Sequence, residues 1–347
     1  MIKTLFAGDV WLAPKLLNKK NGIKKFITNI TNDQKFDIFI CNLEAPFRSD
    51  NMRPQRRAVI YTEPELLESM RIANINVFTL ANNHMNDFGS EGLLKTIDCC
   101  KQKGFLFVGA GSTLNEARKP LIIDLKGRKI AIMSYADTSP YVGSIAATEN
   151  EPGVAPMELH LIREDISKVI NKVDDIWVFL HWGKEYIGHP MPEQLMISRF
   201  LTECGATMII GHHPHVLLGY EKLNNTEVYY SIGNFIFPDI ELQDNCVHKW
   251  NSLSRSSIIL KAYFRKNKWR LDRKFLYLNK YGLPEIDDSV KAINRFNNKN
   301  RIINNSAYKV KYPFYHLFWK IMGYLYKFSN IRKIWMDILW RFGRKGI

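Results

Sequence analysis

The segment Ile209-Ile210-Gly211-His212-His213-Pro214-His215 restricts the chain more than any other, because it sets three imidazoles within four positions directly after an apolar run. A buried imidazole is destabilising unless it is hydrogen-bonded or coordinated. An apolar strand ending in Gly-His-His-Pro-His presents its ring nitrogens at the C-terminal edge of a sheet, where α/β proteins assemble their sites. Metal ligation is the economical reading of such a turn; histidines in a solvated polar loop are the plainer one. The rest of the chain decides between them.

Apolar, β-rich runs alternate with helical patterns from the first residues. The pattern predicts strands over 4–7, 36–41, 77–80, 105–108, 130–135, 176–180 and 208–210, and helices over 22–31, 64–72, 158–173 and 193–204. Further helices are expected after Gly89 and around Asn115 and Ala117. Later strands follow at 228–231 and 233–237, then an antiparallel pair at 256–264 and 268–278. Strands alternating with helices, with antiparallel strands added late, predict an α/β fold layered as a sandwich. Gly109-Ala110-Gly111 lacks the third glycine of a dinucleotide loop and reads as a turn.

Several of these strands close on polar residues able to bind metal. Asp9, Glu44, Asn83 with His84, His181, and the cluster His212, His213 and His215 all follow apolar runs. Oxygen and imidazole donors without thiolate suit one or two divalent ions of Mn, Fe, Zn or Mg. The five cysteines are odd in number and form no CxxC pair, so they read as reduced filler.

Gly8-Asp9, Asn42-Leu43-Glu44, Ala81-Asn82-Asn83-His84 with Asp87 and Gly89, His181-Trp182-Gly183-x-Glu185-Tyr186, the histidine turn, and Tyr230-Ser231-x-Gly233-Asn234-Phe235 occur in a characteristic order. In that order the chain resembles the CapA/PgsA-type capsule and poly-γ-glutamate synthesis proteins, a branch of the calcineurin-like metallophosphoesterases, over about residues 2–238. The resemblance implies a four-layer α/β/β/α sandwich with a metal centre at one edge. It assigns Asp9, Glu44, Asn83, His181, His213 and His215 to the metal, with Glu44 as the bridging carboxylate. His84, with Asp87 beside it, is expected to protonate the leaving oxygen as activated water attacks phosphorus. His212, Glu185 and Asn234 are expected to support the ligands or line a cleft for a phosphorylated or polyanionic substrate; Glu185 is a candidate to orient His181. Trp11 stands where the first motif of the phosphoesterases carries a histidine. Two functions follow: a phosphoesterase in surface-polymer synthesis, or a non-hydrolytic accessory that holds a polyanion or assembles a synthase or export complex.

Charge separates the end of the chain from its body. Residues 1–250 carry 27 Lys and Arg against 29 Asp and Glu, whereas residues 251–347 carry 22 against 5. The Asn- and Lys-rich segment 291–311 reads as a linker between a domain over 1–290 and a tail over 312–347. In the tail, Phe314, Leu317, Phe318, Ile321 and Leu325, and then Ile331, Ile334, Trp335, Ile338, Leu339 and Phe342, follow helical spacing among basic residues. Such basic, aromatic amphipathic helices suit an anionic membrane surface, or else pack on the body. Aromatics in helical stripes make a poor stacking platform, which argues against nucleic acid. No apolar run approaches the ~20 residues of a membrane span, and residues 1–9 read as a strand. The expected location is the cytoplasm, peripheral at the inner membrane face.

Overall fold

In the computed structural model, residues 1–32, 34–50, 58–242 and 246–304 of the 347 are described. The amphipathic tail expected over 312–347 lies outside the described residues. Met1–Arg301 is one compact unit and Ile302–Ile347 a second.

The first unit is built on two sheets. Along the chain the strands are β1 (Ile2–Val10), β2 (Phe36–Leu43), β3 (Ala73–Thr79), β4 (Leu106–Val108), β5 (Ala110–Gly111), β6 (Leu121–Leu125), β7 (Arg128–Ala136), β8 (Gly153–Val154) and β9 (Asp175–His181). They continue with β10 (Met208–His212), β11 (Tyr220–Leu223), β12 (Thr226–Tyr229), β13 (Asn234–Ile236), β14 (Ile240–Glu241), β15 (Val247–His248), β16 (Ser256–Arg265), β17 (Lys268–Leu278) and β18 (Pro284–Ile286). One sheet runs β18-β17-β16-β1-β2-β3-β4, with β13 also paired to β1; the other runs β11-β12-β10-β9-β7-β6. In each, the central strands are parallel and antiparallel strands close an edge.

Alternation along the strands decides which side chains meet. Phe6, Ile38, Ile40 and Val77 of the first sheet face Ile130, Ile132, Trp177, Phe179 and Ile210 of the second in one buried cluster. Leu5, Ala7, Phe39, Cys41 and Phe78 point the other way, onto helices α1 (Lys20–Thr31) and α2 (Gly89–Gln102), through Ile23, Ile27, Ile30, Leu93 and Ile97. After the short α3 (Leu114–Ala117), α4 (Leu159–Val169) and α5 (Pro192–Cys204) cover the outer face of the second sheet. Tyr135 donates to Asp165 of α4 at 3.0 Å, and the Tyr230 and Ser198 hydroxyls, the latter on α5, lie 2.9 Å apart. The layers are therefore α/β/β/α, as expected.

The short strands β5, β8, β14, β15 and β18 were not expected from the sequence, and three further elements also differ from that reading. The segment expected as a linker is helical over its first part, since α6 spans Val290–Asn304. Its composition conceals an apolar face: Ala292 and Phe296, one turn apart, are buried, and the Phe296 ring lies 5.8 Å from Phe275. β6 and β11 were not expected. Each forms an antiparallel hairpin with its successor, through Lys126-Gly127 (φ 56° and 85°) and through Asn224 (φ 51°).

Phe6 holds the sheets together, with its ring 5.1 Å from Trp177 edge-on and 6.1 Å from Phe179. Phe6→Ala is expected to destabilise the fold by about 3–5 kcal/mol in denaturant titration; a loss under 1 kcal/mol would show that the sheets close without it.

Candidate metal centre

Strand register brings the polar residues together. Asp9, at the end of β1, pairs with Asn42 of β2 and Asn234 of β13, and His212 of β10 pairs with His181 of β9. Two glycines permit the approach. A Cβ on Gly8 would lie 1.7 Å from the Gly233 carbonyl oxygen, and one on Gly211 would lie 2.0 Å from that of Tyr230.

Asp9 accepts a hydrogen bond from Asn42 Nδ2 at 2.9 Å, lies 2.9 Å from His212 Nδ1, and accepts the His213 backbone N–H at 3.3 Å. Glu44 Oε1 is 3.4 Å from His215 Nε2 and 3.8 Å from His181 Nε2. His181 Nε2 is also 2.9 Å from Asn83 Oδ1, and His215 Nδ1 is 2.8 Å from Asn234 Oδ1. His84 Nδ1 sits 2.7 Å from Asp87 Oδ2, which also receives the Ile60 N–H at 3.0 Å. Asp9, Glu44, His181, His213 and His215 are all buried.

Two donor groups emerge, Glu44 with His181 and His213, and Asp9 with Glu44 and His215, each with its ligand atoms within 4.8 Å of one another. Glu44 belongs to both. Its Oε1, both ring nitrogens of His213 and Nε2 of His212 are buried without a hydrogen bond among the described residues. Buried polar atoms left unpaired are costly, and divalent cations would satisfy Glu44 Oε1 and one ring nitrogen of His213. The donor set therefore fits metal.

The electrostatics agree. Burial pushes the Asp9 carboxyl up, but the His212 hydrogen bond and the charges of His212 and His215 outweigh it and hold the group below its usual range. Burial and the Asp9 charge push Glu44 well above the carboxylate range. Burial, with the other imidazoles, depresses His181, and His213 falls to about 4. Both rings are neutral at pH 7, the form that binds metal. His213 and His215 take φ of 92° and 54°, left-handed geometry that costs a non-glycine residue on the order of 1–3 kcal/mol and concentrates at functional sites.

The remaining residues complete the surroundings. His212 supports Asp9 through its ring, while Asn234 supports His215 and is itself held by a 3.2 Å bond from Nδ2 to the Ser254 carbonyl. His181 is flanked by Asn83 and, at 3.4 Å, by Asn42. Glu185 is exposed at the rim; burial of its carboxyl is outweighed by His215, His213 and His84, which hold it below its usual range. Trp11 donates its indole N–H to the Tyr61 carbonyl at 2.8 Å, so the imidazole beside Asp9 comes from His212. Two members were given no role by the sequence reading. Asn42 bridges the carboxylates, reaching Glu44 Oε2 at 3.4 Å, and Asn82 donates to Asn42 Oδ1 at 3.2 Å and to the Leu43 carbonyl at 2.9 Å. Their only sequence signal was membership of the Asn-Leu-Glu and Ala-Asn-Asn-His motifs.

An α/β/β/α sandwich with carboxylate, carboxamide and imidazole donors gathered where its strands end defines a class, that of proteins with a candidate two-metal centre at the sheet edge. Residues 3–239 match the family described as bacterial capsule synthesis protein PGA_cap, and the chain belongs to that family. It is 31% identical over 275 residues to the PGA biosynthesis protein CapA of Bacillus subtilis, covering 77% of this chain and 69% of that one. It is 30% identical over 204 residues to the capsule biosynthesis protein CapA of Bacillus anthracis, covering 56% of this chain and about half (49%) of that one. Among solved structures it is similar to the calcineurin-like phosphoesterase YfkN from Bacillus subtilis (13% identity, 79% of this chain and 90% of that one, TM-score 0.42). It is also similar to a 5'-nucleotidase from Candida albicans (13% identity, 85% and 55%, TM-score 0.43).

Glu44 yields a test of the centre. Because its folded pKa is raised, the stability it contributes is complete below the ordinary 4.5 and is lost as pH rises through the folded value. In chelator at pH 7.5, Glu44→Gln is therefore expected to melt above wild type, and added Mn2+ is expected to reverse the order. An unchanged order in Mn2+ would mean that Glu44 holds no metal.

Proposed function

We propose that this chain acts in capsule or surface-polymer synthesis as a metal-dependent phosphoesterase on a phosphorylated polymer or lipid-linked intermediate. The observation that supports this most is the sharing of Glu44 between two buried donor groups, an arrangement suited to a pair of divalent ions (Mn, Fe, Zn or Mg). Bound there, such ions would supply Lewis acidity for a phosphoryl oxygen and make water acidic enough to act as a nucleophile near neutral pH. The chain's own groups do the rest. Asp9, Glu44, Asn83, His181, His213 and His215 would hold the ions. Asn42, His212 and Asn234 fix the ligands' orientation, as supporting hydrogen bonds around metal ligands do. The Asp87 carboxylate engages Nδ1 of His84, leaving Nε2 to give a proton to the departing oxygen. Glu185, at the exposed rim, borders the path by which a substrate enters.

One observation favours the alternative, an accessory that binds a polyanionic polymer or assembles a synthase or export complex without hydrolysis. The residue two positions after Asp9 is Trp11, whose N–H is engaged by Tyr61, so the donor group containing Asp9 lacks the ligand that the phosphoesterase motif places there. Attachment to the inner face of an anionic membrane through residues 312–347 accompanies both readings. A deletion of the tail that leaves the affinity for anionic vesicles unchanged would count against that attachment.

Metal analysis and turnover of bis-p-nitrophenyl phosphate and p-nitrophenyl phosphate under Mn2+ separate the readings. Near-stoichiometric metal and hydrolysis lost in His215→Ala are the expected results; metal without turnover selects the accessory. If hydrolysis occurs, His84→Asn is expected to lower kcat about 10²–10⁴-fold on an alkyl phosphoester, whose leaving oxygen needs a proton. The p-nitrophenyl esters should lose much less, with metal content unchanged. Equal losses on both would remove His84 as the acid.

A further inference from the structure

Much of the late basic excess lies outside the tail. Residues 251–301 carry 13 Lys and Arg against 4 Asp and Glu, and seven of those cations belong to the β16–β17 hairpin, all but Arg273 on one face or at the turn. Residues directly opposed in an antiparallel pair share a face. The pairs Arg265 with Lys268, Tyr263 with Arg270, Lys261 with Asp272 and Ile259 with Lys274 thus set five cations and one carboxylate on a single face, over about 20 Å of strand. Arg265, Lys268 and Arg270 are exposed, and Lys266 adds a sixth charge at the turn.

These cations are not neutralised internally. Among the described residues none of the six forms an ion pair, whereas cations near the same end of the molecule do: Lys126 with Asp37 at 2.7 Å and Arg128 with Asp175 at 2.5 Å. Lys261, only 5% exposed, has its ammonium 5.9 Å from the Phe36 ring centroid. Burial and the charge of Lys274 push its amine below the usual range. Among the described residues, part of the outer edge of β17 is unpaired as well, since β18 pairs with it only over Leu276–Leu278. Guarding an open edge against strand addition needs a charge or two, fewer than are present. Five like charges held together beside a single acid, Asp272, favour an external polyanion.

Position selects the kind of polyanion. β16 meets β1 at the pair Ile2 with Phe264, whereas Asp9 lies at the other end of β1, about 23 Å along the strand. A polymer laid on this face would be held far from the candidate centre. A planar surface there would leave the centre open to solution.

We propose that the basic face of the β16–β17 hairpin docks the protein on an anionic lipid surface, with the candidate metal centre held off the bilayer. Each basic residue at such a surface contributes about fivefold in affinity. The full chain is expected to sediment with phosphatidylcholine vesicles containing phosphatidylglycerol and not with phosphatidylcholine alone. The variant Lys268→Gln/Arg270→Gln/Lys274→Gln should bind about 100-fold more weakly, with melting temperature and metal content unchanged. A variant that binds as tightly as wild type would overturn the proposal and move docking elsewhere in the chain. So would a wild type that binds soluble polyglutamate through these residues while ignoring anionic vesicles, which would make the face a polymer track.

Discussion

Two carboxylates buried together beneath a crown of imidazoles are the constraint on which the rest of this structure depends. Asp9 and Glu44 are both fully buried at the ends of adjacent strands, and the like charge of Asp9 is one reason the Glu44 carboxyl is displaced upward. Neither belongs in an apolar core. Each is tolerable only because neighbouring elements deliver compensating groups, and those come from strands distant in sequence. Asn42 and His212 reach Asp9 from β2 and β10, while His215 and His181 approach Glu44 from the second sheet.

That requirement reaches into the backbone. The histidine turn takes positive φ at two non-glycine residues, and Gly8 and Gly211 sit where any side chain would collide with a facing carbonyl. Strain of this kind persists only where surrounding packing overdetermines it. The packing is supplied by the cluster between the sheets, where Phe6 meets Trp177 and Phe179. Part of the fold's stability is thus committed to holding these donors in place, which is the usual relation between a binding site and its fold.

The sequence already showed much of this. β-rich runs closing on Asp, Glu, Asn and His located the metal-type residues, because parallel strands deliver their C-terminal ends to one edge whatever the details of packing. The pair 256–264 and 268–278 was legible within a residue of β16 and β17, since both are long apolar-rich strands flanking a two-residue turn. α6 was obscured because its asparagines and lysines dominate the composition while only a narrow face, including Ala292 and Phe296, is buried. β6 and β11 were missed because short edge strands bury too little to leave a pattern.

By itself, then, the sequence determined the alternation of strands and helices and the donor types that close the strands, because periodicity and donor type are local properties; the α/β/β/α order was implied by the family resemblance. Only the tertiary structure decided which donors share Glu44, that His212 and not residue 11 serves Asp9, and that Asn42 ties the two carboxylates together. It also decided that the basic charge of the hairpin gathers on one face. Those are matters of register between strands far apart in the chain, and register is set by packing across the core.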